Sequence, residues 1–147
     1  MLLLDAAGRL LLARWRLQSG DHLWITPGGG LRTGEDHREA ALRELAEEVG
    51  LRDAELGPWV WLREHGFSWK GRPYRQRERF YLVRVDAHEV DRSGNDAQEL
   101  VALEEFRWWT LSELQGSGET FAPRRIAFFL EPLLAGEIPR RAVDVGA

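Results

Sequence analysis

The chain has 147 residues, with 20 Lys and Arg against 24 Asp and Glu for a net charge of −4, and it has no cysteine. A chain of this length suits one domain spanning 1–147 with a substantial core, the missing thiols exclude disulfides and thiolate chemistry, and the net acidity argues against general nucleic-acid binding. The opening apolar stretch is broken by Asp5 and Arg9, so it lacks the continuous core of a signal peptide, and no run is long enough to span a membrane. A cytoplasmic protein with no membrane partner is the expectation.

Residues 2–4 and 10–15 read as strands around the turn Asp5-Ala6-Ala7-Gly8. A short strand near Trp24, a glycine loop and a helix follow. Residues 59–63 and 75–85 read as two more strands joined through 67–73, and the polar stretch 86–96, with Ser93-Gly94-Asn95, reads as a mobile loop. A strand over 106–110 leads into a helical turn at 111–114. A second helix begins near Pro123 and carries Ile126, Phe129, Leu130 and Leu133, with Pro132 placed to end or bend it. The tail over 135–147, with Arg140 and Arg141, is expected to be loosely ordered. Strands alternating with helices predict a mixed sheet covered by helices. The chain opens almost directly in a strand, which leaves room for an incomplete first strand or a different start.

The helix before Gly50 carries the chemistry. Leu42, Leu45 and Val49 fall on one stripe that should face the core, with Glu44, Glu47 and Glu48 on the far side. Glu44 lies three and four residues from two like charges, at a cost of about 0.2–0.5 kcal/mol per pair. Glu47 and Glu48 sit in the last turn, where the helix dipole repels them by roughly 0.3–1 kcal/mol. Local rules broken together mark functional sites, and a divalent cation would reverse each of these terms. The competing interpretation is a solvated acidic face. Thr33 or Asp36 is placed to cap the start, Gly50 to end the helix in a left-handed turn, and Arg43 to pair with Glu39 and Glu47.

The loop Pro27-Gly28-Gly29-Gly30 lets the backbone approach a ligand closely. It lacks the Lys-Ser/Thr ending of a P-loop and the spacing of a dinucleotide-binding turn. His22, His37, His65 and His88 show no zinc-type spacing, so oxygen ligands and Mg²⁺ or Mn²⁺ are favoured over zinc.

Loop and helix together resemble the signature of the Nudix hydrolase family: Gly, five residues, Glu, seven residues, Arg-Glu-aliphatic, one residue, Glu-Glu, one residue, Gly-aliphatic. Gly29, Glu35, Arg43, Glu44, Leu45, Glu47, Glu48, Gly50 and Leu51 fill every constrained position. The Trp24 strand and the stretch 106–111 are also similar to the family. The resemblance implies an α/β/α sandwich with a mixed β-sheet and Mg²⁺-dependent hydrolysis of a nucleoside diphosphate linked to another group, with Mn²⁺ as a substitute. Carried over, Glu44, Glu47 and Glu48 are metal ligands with the carbonyl of Gly28. Glu44 is a candidate base, and Arg43 and Glu35 orient the carboxylates. Many members also use an acidic residue outside the signature as base; here Glu104 is the first choice, with Glu99, Glu105 and Glu78 behind it. Many members dimerise, which leaves a homodimer open.

The substrate implied is a nucleotide-derived small molecule. Arg75, Arg77 and Trp24 are the candidates for contact with it, since arginines pair with phosphates and aromatic faces stack on bases. Against this, Arg75, Arg77 and Arg79 recur every second residue, as on the solvent face of a strand. Features associated with ADP-ribose, coenzyme A and diadenosine polyphosphate hydrolases are missing, the last because Phe67-Ser68-Trp69 stands where tyrosine is usual. Two rivals are a nucleotide-binding sensor without turnover and an interaction module whose acidic helix faces solvent. The intact glutamates weigh against the sensor, and the interaction module predicts that neutralising Glu44, Glu47 and Glu48 stabilises the chain.

Overall fold

Alternation along the first strands decides the layers. In the computed structural model, which describes residues 1–95 and 102–147, Leu2 and Leu4 of β1 (Leu2–Leu4) point to one side of the sheet and Leu3 to the other. Leu10 and Leu12 of β2 (Leu10–Arg16) join the first side and Leu11 the second, as the two-residue period of a strand requires. Both sides are buried, so both need a helical cover. The helix α1 (His37–Val49) covers the Leu3–Leu11 side through Ala41, Leu45 and Val49. The Leu2–Leu10 side is covered by α2 (Leu111–Gly116), through Leu114, and α3 (Ile126–Leu134), through Ile126, Leu130 and Leu133. The result is the expected α/β/α sandwich. No helix among the described residues is long and apolar enough to cross a membrane.

The remaining strands are β3 (His22–Ile25), β4 (Trp59–Trp69), β5 (Arg72–Arg84), β6 (Leu103–Trp109), β7 (Phe121–Ala122) and β8 (Val143–Asp144). Strand order is β7-β3-β2-β1-β5-β4-β8, with β6 paired to β2. Antiparallel pairing joins β1 to β2, β2 to β3 and β6, and β4 to β5, while β1–β5, β3–β7 and β4–β8 are parallel. The sheet is therefore mixed. β1 and β3 meet β2 at different points, Leu4 opposite Leu10 and Ile25 opposite Ala13. The chain leaving β3 thus reaches the glycine loop beside the start of β1.

Four expectations are corrected here. The segment 67–73 is not a loop: β4 and β5 run on in register to Trp69 opposite Arg72. They turn through Lys70 and Gly71, both at positive φ (48° and 74°), the two-residue hairpin turn that matches strand twist. The tail is not loose throughout, because β8 pairs with β4 and Val145 is buried. The described part of the polar stretch, 86–95, is seated on the end of α1. His88 Nε2 lies 2.7 Å from the Val49 carbonyl, Asp91 N–H donates to that carbonyl at 3.1 Å, and Gly94 packs on the Glu47 backbone. Asp96 and Glu99 lie outside the described residues. Finally, Leu42 is 41% exposed rather than buried with Leu45 and Val49.

Candidate active site

The cap decides where α1 begins. Asp36 accepts from the Glu39 N–H and Glu39 returns a bond to the Asp36 N–H, closing a capping box. Glu39 is thereby occupied, and Arg43 does not pair with it as expected. Gly50 closes the other end at φ 73°, a conformation that disfavours a side chain. Ala41, Leu45 and Val49 face the sheet, and one step around the helix Glu44 and Glu48 follow them inward. Both are buried, whereas Glu47 is on the open flank with its side chain 39% exposed. The glutamates are therefore not on the far side of the helix: two of them sit between the core stripe and the glycine loop.

That loop is shaped to them. The Gly28 N–H donates to Glu48 Oε2 at 2.7 Å. A Cβ at Gly29 would stand 2.2 Å from Glu44 Oε1. Arg43 ties the rest together. Its guanidinium donates to both oxygens of Glu35 (2.7 and 2.9 Å), to Glu44 (2.8 Å), to Glu47 (3.2 Å) and to the Gly30 carbonyl (2.9 Å). The two-pronged bond from Arg43, with a further bond from the Arg32 N–H, holds the Glu35 carboxyl at about 2. In return Glu35 first, and Glu44 second among the glutamates, raise the Arg43 pKa against the effect of burial.

The donors are carboxylate oxygens beside glycine backbone, which suits a hard cation such as Mg²⁺ or Mn²⁺ and not a soft one. Among the described residues no group of three or more histidines and acids converges on one point. Arg43 draws Glu44 and Glu47 to itself, and Glu48 is directed at Gly28. The side chains fit a divalent cation in chemistry, and the arginine holds part of the negative charge.

A cleft of about 610 Å³ opens over this helix. One wall is the run 25–31, the other is β5 from Gln76 to Tyr81, and Ala40, Ala41 and Glu44 form the base. Glu78 and Arg63, paired at 2.9 Å, lie on the β5 side, with His65 3.2 Å from Glu78. His37 also lines the cleft, and burial, followed by the charge of Arg79, holds its imidazole below the usual range.

The expected residues divide. Glu35, Arg43, Glu44, Glu47, Glu48 and Gly28 come together. Arg77 reaches the cleft, while Arg75 lies further out; both pair with Glu64, at 2.7 and 3.2 Å. Trp24 does not reach it: the ring is 2% exposed and packs edge-on against Trp109 with centroids 5.0 Å apart. Its strand turns it inward, onto the face opposite α1, so it is a core residue and not a substrate contact. Glu104 is not among the cleft residues either. It is bound by Arg16 (2.8 Å) and His22 (2.9 Å). Burial would raise its pKa, but those two partners outweigh it and hold the carboxyl below the usual range. Glu105 meets Arg14 at 3.8 Å, half-exposed. Arg63 and His37 were missed, because in sequence an isolated Arg or His carries no mark of the wall it will line.

The NUDIX domain family profile matches residues 1–130. An RNA pyrophosphohydrolase of Rhizobium meliloti (strain 1021) is 35% identical over 132 residues, covering 81% of this chain and 77% of that protein. An RNA pyrophosphohydrolase of Rhodopseudomonas palustris (strain BisB18) is 36% identical over 129 residues, covering 78% and 73%. Among solved structures, the dihydroneopterin triphosphate pyrophosphohydrolase of E. coli superposes with a TM-score of 0.64 at 15% identity, covering 92% of each chain. With the signature residues gathered at one cleft, the chain belongs to the NUDIX family and is a Nudix hydrolase.

Proposed function

We propose that the chain hydrolyses a phosphoric anhydride in a nucleotide-derived substrate with the help of Mg²⁺, in the cytoplasm, and that a 5′-polyphosphorylated RNA end is the first substrate to test. The carrying observation is the pair of buried carboxylates, Glu44 and Glu48, pressed against a glycine loop with no room for a side chain at Gly29. Two carboxylates brought together under cover are costly unless cations balance them, and the Arg43 guanidinium on Glu44 is shared with Glu35 and Glu47. The choice of RNA is supported by the names of the two relatives at 35% and 36% identity.

Glu44, Glu47 and Glu48, with the carbonyl of Gly28, would hold the cation. When bound, such an ion neutralises phosphate charge and lowers the pKa of a bound water. Arg43 and Glu35 position the carboxylates. Arg77, Arg79 and Arg63 on the opposite wall offer donors to phosphate oxygens. A base outside the helix is better sought at Glu78, which lines the cleft, than at Glu104, which does not.

The test is phosphate or pyrophosphate release from 5′-triphosphorylated RNA, nucleoside triphosphates, nucleotide sugars, ADP-ribose and dinucleotides, with and without Mg²⁺. Wild type is expected to turn over at least one class only with Mg²⁺. Glu48→Gln, which keeps an acceptor for the Gly28 N–H, is expected to fold and lose nearly all of that turnover. Wild-type activity in the variant overturns the site. Metal-independent nucleotide binding with no turnover on any substrate would favour a sensor.

A further inference from the structure

The β4–β5 hairpin projects beyond the cleft as a two-stranded ribbon whose outer part is not packed against the core. Side chains of register partners share a face. One face therefore runs from the cleft outward: Arg63 with Glu78, His65 with Gln76, Phe67 with Tyr74, Trp69 with Arg72. Near the tip it is aromatic and open. Phe67, Trp69 and Tyr74 are 42%, 54% and 44% exposed, and Phe67 stacks on Tyr74 at 5.5 Å and 17°. Lys70 stands 6.0 Å from the Trp69 ring.

Charge follows the same path. On the aromatic face Arg63 and Arg72, with Lys70 at the tip, meet only Glu78, while Arg75, Arg77 and Arg79 line the reverse face beside Glu64, in a chain whose net charge is −4. The ribbon as a whole is cationic, the reverse of the molecule's average. Exposed aromatic faces among arginines, without a rigid apolar pocket, are what a flexible polyanion with flat bases requires. A second copy of this chain would bring the same positive ribbon against itself.

We propose that this hairpin face binds the single strand of RNA leaving the cleft, the first nucleotides behind the reacting 5′ end stacking on Tyr74, Phe67 and Trp69. The proposal rests on RNA-end hydrolysis as the reaction. Successive register pairs on one face are about 7 Å apart, a step comparable with that of an extended nucleotide chain. From Glu78 to Arg72 the face spans roughly 20 Å, room for about three nucleotides. The same ribbon contributes the cleft wall at Arg63 and Glu78, so strand and reacting end are positioned by one element.

The test compares Mg²⁺-dependent kcat/KM on a nucleoside triphosphate and a 5′-triphosphorylated decamer, for wild type and for Trp69→Ala/Tyr74→Ala. Wild type is expected to prefer the decamer by about tenfold or more. The double variant should lose that preference through KM and keep nucleoside triphosphate turnover. No length preference, or a preference the variant retains, overturns the proposal. If no RNA is turned over at all, the reaction is wrong, and the surface is judged by anisotropy with a 5′-monophosphorylated fluorescent decamer: about tenfold weaker binding by the variant supports it, and equal binding overturns it. Should the double variant fail to fold, Arg72→Gln serves, with an expected loss of about 0.7 in the slope of log binding constant against log salt. A wild-type dimer that the variant dissociates, with decamer binding unchanged, gives the face to a second copy and overturns the proposal.

Discussion

Oε1 of Glu44 lies 2.2 Å from where a Cβ on Gly29 would be. The glycine is there because the carboxylate is. Alanine at 29 displaces the far end of a flexible side chain and no backbone, so Gly29→Ala is expected to fold with little change in melting temperature. Glu44 moves instead, and Mg²⁺-dependent turnover should fall by about tenfold or more. Thermal melts beside initial rates check this; an active, unperturbed variant would mean that Glu44 need not occupy this place.

Arg43 is the shared partner of Glu35, Glu44 and Glu47. Arg43→Ala leaves these carboxylates without it, and the melting temperature without metal should drop by roughly 5–10 °C. Mg²⁺ should recover more of the loss in the variant than it adds to wild type, since the ion can supply the missing charge. Melting curves over a Mg²⁺ titration measure both.

Glu35 makes acid stability a reporter of the same contact. Its carboxyl, ordinarily near 4.5, is held at about 2, chiefly by Arg43. The folded value is the lower one, so the contribution is complete above about pH 4.5 and is lost as pH falls toward 2. Glu35→Gln should therefore melt less steeply with falling pH over that window than wild type. Some slope will remain, because Glu113 and Asp91 are also held below the usual range by backbone hydrogen bonds. Identical pH profiles would show that Glu35 and Arg43 do not pair in solution.

Trp24 separates core from ligand contact. Its indole N–H has no partner among the described residues, so Trp24→Phe loses packing against Trp109 and no hydrogen bond. The expected cost is about 1–2 kcal/mol by urea denaturation, with KM unchanged. A raised KM at wild-type stability would return Trp24 to the substrate.

The spacing in the sequence carried the layers and the signature because both depend on local period. Leu2, Leu3 and Leu4 alternate in the fold as strand geometry dictates, and Leu45 and Val49 of α1 are buried as its period predicts. Leu42 misled because the buried arc of α1 is centred nearer Glu44 and Glu48 than the hydrophobic residues alone indicate. The glutamates were part of the inward face. Hairpin length was hidden for a different reason: Phe67, Trp69, Arg72 and Tyr74 pack against no core, so no alternation of buried and exposed positions marked them as strand. Partner choice is tertiary. Glu104 looks like Glu78 in sequence, and only the path of β5 along the cleft against the pairing of β6 to β2 tells them apart.

The guanidinium of Arg43 has a consequence for the life of the protein before it works. Because Arg43 supplies a counter-ion for Glu44 and Glu47 within the chain, the proposed Mg²⁺-dependent reaction predicts folding that does not wait on an outside supply of the ion. Scarcity of the ion would then silence molecules already made and leave their number unchanged. Restoring it would return activity without new synthesis.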